Sequence, residues 1–222
     1  MCFSATASFS AGIVLLAVGA LTLKSVTRKA DLPFAVIPLL FAIQQLDEGV
    51  VWLTLGQAAP LLNAVATRLY SFFSHVLWPI YLPLAVLMME PRGLHRRVLI
   101  GFAVAGGAVG AYLLYVLVAF PVASRQTGQH IEYVSPHFFA LEVMTLYLMA
   151  TALSPLLSTQ RRVQIFGALA LTTFAAAYYF YATWFISVWC FFAALLSVVV
   201  YLHVAQRKSD LKGHKLPHSA ID

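Results

Sequence analysis

Three of the eight acidic residues in this 222-residue chain, Asp47, Glu48 and Glu142, stand in stretches that otherwise read as lipid-embedded helix. An ionisable side chain there costs roughly 2.5–3.5 kcal/mol on insertion scales, so it faces a partner or a cavity. His75 and His137 stand in comparable stretches. Imidazole is the commonest metal ligand and a usual general base. Together with carboxylate and the thiol of Cys2, it suits zinc or copper. Glu48, His75 and Glu142 are the expected metal ligands and catalytic groups, with Cys2 or His137 completing the set. Zinc lowers the pKa of its bound water to about 7, the chemistry of hydrolysis, with a lipid-borne or small-molecule substrate entering from the bilayer. His75 and His137 also leave a haem site open.

Spacing sorts these groups. Gln44, Glu48 and Trp52 follow one another at intervals of four and share a helix face. Asp47 points about 100° away from Glu48 and sees other neighbours. A simpler reading makes Glu48 neutral, or bonded to a hydroxyl on another span. His75 follows Ser71 by one turn and precedes Trp78, Pro79 and Pro83. Those prolines free backbone carbonyls and kink the helix, which opens room for a ligand. Gln45, Trp52 and Trp78 are the expected ligand-lining residues. Ser135-Pro136 reads as a helix start just before His137, with Glu142 about 7 Å deeper.

The elements that must position these residues are transmembrane helices. The chain is 61% apolar and 10% charged, with mean hydropathy +0.85, against about 45–50% and 25% in soluble domains. Seven apolar stretches have spanning length: 8–26, 32–55, 69–90, 97–120, 136–157, 163–181 and 184–206. The expected architecture is an all-α integral membrane bundle of seven transmembrane helices over 1–206, followed by a basic cytoplasmic tail, 207–222. A polar loop from Ser124 to Ser135 separates spans four and five. The uncharged opening MCFSATA lacks the basic region of a signal peptide, and two distant cysteines make no disulfide framework.

Charge sets the orientation. Twelve Lys and Arg residues fall in the odd-numbered connections and the tail, whereas Arg68 and Arg125 alone fall on the other side. Positive charge stays cytoplasmic, so the N-terminus is expected outside and the C-terminus inside the cytoplasmic (inner) membrane. The net charge of +6 is therefore a topology signal, not a nucleic-acid surface. Every ionisable group within the spans except His203 then lies in the outer half.

The opening MCFSATASF, with QQLDEGVVW in the second span and SHVLWPIYLP in the third, resembles a family of uncharacterised bacterial multi-span membrane proteins that begin with MCFSA. The resemblance implies a membrane protein with a distinctive N-terminus and brings no activity with it. It draws attention to Cys2, Gln45, Glu48, Trp52 and His75. Retinal proteins are excluded, because no lysine stands inside the last span to form a Schiff base. The favoured function is a buried metal site in the outer half of the bundle, that of a membrane-embedded metal-dependent hydrolase. The alternatives are a ligand-binding sensor or scaffold and a proton-coupled transporter, which needs polar groups continuing through the inner halves of the spans.

Overall fold

The computed structural model describes residues 4–57, 59–135, 138 and 140–213. The chain is predominantly helical. Among the described residues, six helices are long and apolar enough to cross a membrane: α1 Ala5–Lys24, α2 Lys29–Thr54, α3 Pro60–Met89, α4 Leu94–Ala119, α6 Arg161–Phe180 and α7 Phe185–Asp210. A shorter apolar helix, α5 Leu141–Leu156, precedes α6. The last helix is interrupted by a turn at Leu196 and continues to Gly213. Arg207 and Lys208, assigned above to the basic tail, are therefore helical.

Small residues let helices close on one another. A Cβ on Gly12 would lie 2.7 Å from Leu46, one on Gly19 2.3 Å from Leu39, and one on Gly49 2.8 Å from Phe9. Those pairs run in opposite sequence directions, so α1 lies antiparallel along α2 at backbone-limited distance. α4 meets α3 in the same way: a Cβ on Gly106 would stand 2.0 Å from the Pro79 carbonyl oxygen.

Proline and π-turns shape α3 and α5. In α3 the segment Phe72–Leu77 is π-helical, and the Trp78 N–H donates to Phe73 O. The next N–H in that register belongs to residue 79, a proline, which has none. The carbonyl of Ser74 is thus left over, and the Tyr147 hydroxyl of α5 donates to it. In α5, Met149–Leu153 is π-helical and Ser154 N–H donates to Met149 O. Pro155 then leaves the Ala150 carbonyl, which accepts from Ser154 Oγ at 2.5 Å. Such π-turns recur at functional sites, and His75 sits inside the first.

The connections gather at two ends. At one end Arg207 Nη1 donates to Asp31 Oδ1 at 2.8 Å, and Arg207 Nη2 to Gln160 Oε1 at 2.8 Å. Ser158 Oγ donates to Glu90 Oε2 at 2.9 Å, as does Thr159 N–H to Oε1. Lys208 Nζ reaches Lys24 O. At the other end, residues read from sequence as a polar loop form a hairpin, β1 Ala123–Thr127 and β2 His130–Val134, paired antiparallel. Gly128 takes φ +65° in its two-residue turn, a conformation glycine adopts freely. Tyr133 stacks on Tyr70 at 4.3 Å, His130 stacks on Trp184 at 4.4 Å, and Thr67 Oγ1 donates to Ser124 Oγ at 2.8 Å. The hairpin thereby covers the bundle.

Here the fifth apolar stretch departs from expectation. The helix begins at Leu141, not 136. Phe138 is buried instead against His75 and Tyr147, with ring centroids 4.2 and 5.5 Å away. Its hydrophobicity serves to cover the bundle rather than to extend a span.

Candidate functional site

Beneath the hairpin, α2, α3, α5 and α7 bring polar side chains into an otherwise apolar interior. Helical periodicity turns Gln44, Gln45 and Glu48 inward, each fully buried. Gln44 Oε1 accepts from Trp78 Nε1 of α3 at 2.8 Å. Glu48 Oε1 accepts from Ser187 Oγ of α7 at 2.6 Å, and its Oε2 from Gln45 Nε2 at 3.3 Å. The Cys190 thiol lies beside Gln44 and Tyr70. Glu48 is thus bonded to a hydroxyl on another helix.

His75 is 2% exposed. Its Nδ1 and Ser74 Oγ are 2.7 Å apart, and Phe138 covers the ring. Its Nε2 is buried with no hydrogen-bond partner among the described residues. An imidazole nitrogen fixed on one side and open on the other is the arrangement a metal-ligating histidine uses. A buried polar atom without a partner carries a desolvation penalty of about 1–3 kcal/mol. His75 is bonded to Ser74, and Glu48 to Ser187 and Gln45.

The expected four-way cluster therefore divides. Glu48 and His75 are both central, on separate bonding partners. Glu142 is exposed in the first turn of α5 and is not part of the buried centre. The late start of α5 places it there. Cys2 and His137 lie outside the described residues. Asp47 is 9% exposed, with Oδ2 lacking a hydrogen-bond partner among the described residues. Trp52 is half-buried, and its Nε1 lacks a partner among the described residues. Among the described residues no three His, Cys, Asp or Glu side chains come close enough to hold a metal ion.

Ser187 and Tyr147 complete the centre and were not singled out by sequence. The signal for Ser187 was a lone hydroxyl within FISVWCFF, three residues before Cys190. Nothing in the sequence separates Tyr147 from the other tyrosines. Next to the centre, a cavity of about 30 Å³ is lined by Trp78, Tyr147, Thr151, Trp189 and Cys190 with apolar neighbours. At ~10–15 Å³ per water it admits a few waters and no organic substrate. Farther from the hairpin, Phe34, Ile37, Leu82, Val86 and Val163 form a second, apolar core.

The fold and site define an α-helical protein with six helices, among the described residues, long and apolar enough to cross a membrane, and with a buried polar centre near one end. The chain belongs to DUF6629, a family of unknown function, and matches it over residues 1–214. No curated protein and no solved structure matches it.

Proposed function

We propose that this chain is a seven-span protein of the cytoplasmic membrane, N-terminus outside, whose polar centre binds one metal ion, zinc or copper, on His75 Nε2. The observation that carries the reading is the fixed Nδ1 and open, buried Nε2 of that ring. Further ligands come from outside the described residues, with Cys2 and His137 the candidates. Cys2 stands two residues before Ser4, the cap of α1, and α1 packs Phe9 on Gly49 beside Glu48. His137 is the sequence neighbour of Phe138, whose ring lies on His75. Glu48 serves to lock α2 to α7.

Seven crossings are favoured because α5, although short, connects the hairpin end to the Glu90 end. Its 16 residues reach about 24 Å at 1.5 Å per residue, against about 30 Å of hydrocarbon. The orientation rests on the arginine-rich end as cytoplasmic. Binding is preferred to hydrolysis because Glu48 is engaged by Ser187 and Gln45, and Glu142 is exposed in the first turn of α5.

Chelation tests the reading. A ligand that binds only the folded state raises the melting temperature by mass action. Chelator treatment of purified full-length protein should lower Tm, and zinc or copper should restore it. The His75→Ala variant should show neither change. An unchanged wild-type Tm through both steps would contradict the proposal.

A further inference from the structure

The arginine-rich end holds a second site, remote from the polar centre and independent of its chemistry. Between the start of α6 and the end of α7 lies an open cleft of about 250 Å³, lined by Arg161, Arg162, Arg207, His203 and Asp210, with Gln160 and Gln206 at its edge. Arg207 is tied to Asp31 and Gln160. Arg161 and Arg162 form no ion pair among the described residues, so neither is neutralised by Asp210. Gln160 is the N-cap residue of α6 and makes no side-chain cap bond. Its amide is used elsewhere, donating to Met89 O at 3.2 Å and accepting from Arg207. The first-turn N–H groups of α6 thus add the partial positive charge of a helix N-terminus.

A buried side chain points to a ligand independently of these charges. His203 is 5% exposed and lines the cleft, yet its Nε2 has no hydrogen-bond partner among the described residues. Phe34 packs edge-on against its ring at 5.7 Å, and Arg207, Asp31, Arg162 and Arg28 are the charges that act on it. Cations outnumber carboxylates in this set. A buried imidazole nitrogen lining a cleft, two guanidinium groups without ion pairs among the described residues and a helix N-terminus beside them form an anion receptor.

We infer that the cleft between the start of α6 and the end of α7 binds a phosphate-type anion, held by Arg161 and Arg162 at its mouth and by His203 at its base. Guanidinium recognises phosphate through paired N–H bonds, and basic pockets between transmembrane helices hold the head groups of anionic lipids. Inorganic phosphate and a lipid phosphate monoester offer the same chemistry.

The test uses full-length protein with two probes. One is inorganic phosphate, titrated calorimetrically against protein in uncharged detergent. The other is phosphatidic acid in phosphatidylcholine nanodiscs, compared with phosphatidylcholine alone. Saturable binding of either probe is expected, weakened at least about tenfold in Arg161→Gln/Arg162→Gln and preserved in Arg92→Gln/Arg97→Gln. His203→Gln should weaken it as well. The arginines changed are at least partly exposed, so these variants fold. Binding of phosphate alone assigns a soluble anion, binding of the lipid alone assigns a head group, and both support the receptor. Failure of both probes in folded wild type would overturn it. So would equal weakening in the two arginine double variants, which would mean diffuse surface charge.

Discussion

Ser187 Oγ donates to Glu48 Oε1 at 2.6 Å although 139 positions separate the residues. That bond ties the last helix to the second at the level of the polar centre. Hydrogen bonds between membrane helices average about 0.6 kcal/mol and reach about 1.7. A short bond to a buried acid belongs at the upper end. Ser187→Ala should therefore destabilise the bundle by about 1–2 kcal/mol. In a double-mutant cycle with Glu48→Met, which removes the acceptor, most of that loss should appear as coupling. Thermal unfolding in detergent measures it, and strictly additive losses would show that the bond contributes nothing.

Tyr147 and Pro79 form a second testable pair, because the proline removes the N–H that the Ser74 carbonyl would otherwise accept. Tyr147→Phe should cost about 1–3 kcal/mol by leaving that buried carbonyl unsatisfied. In a Pro79→Ala background the backbone supplies a donor, so the same change should cost clearly less. Equal costs in both backgrounds would mean that the hydroxyl does not compensate for the proline.

Helix contact at Gly106 allows no side chain, since a Cβ there would meet Pro79 O at 2.0 Å. Gly106→Ala should lower stability by about 1–3 kcal/mol or abolish accumulation of folded protein. Gly101 and Gly107 of the same helix face open space. Alanine at either should be tolerated, and size-exclusion profiles with melting curves compare the three.

What sequence could convey differs from residue to residue. Glu48, Gln44 and His75 were legible because a polar group inside an apolar run has few uses, and helical spacing turned them to one side. Ser187 was not, since one hydroxyl in an apolar helix costs little and carries no pattern. The helices at 5–24, 32–54 and 94–119 follow the hydropathy closely, because long apolar runs leave little choice. The fifth stretch misled because hydrophobicity does not record what a side chain packs against. Phe138 is apolar in order to cover His75, which moved the helix start to Leu141 and Glu142 to the surface. The hairpin escaped notice because its short strands mix polar and apolar residues at the edge of far stronger signals.

Topology follows from the two ends. In the proposed orientation, alkaline phosphatase inserted at Gly128 in the hairpin turn should be active. A fusion after Gly213 should be inactive, and a fluorescent protein there should fold and emit. The opposite pattern would invert the orientation, and activity at both sites would exclude an odd number of crossings.

Elemental analysis of purified full-length protein is the most direct test of the account as a whole, with metal counted per chain in wild type, His75→Ala, Cys2→Ser and Glu48→Gln. Near-stoichiometric zinc or copper is expected in wild type and in Glu48→Gln, and its loss in His75→Ala and Cys2→Ser. No metal in folded wild type, even after incubation with either ion, would contradict the account and leave a polar centre that only fixes the packing of the helices.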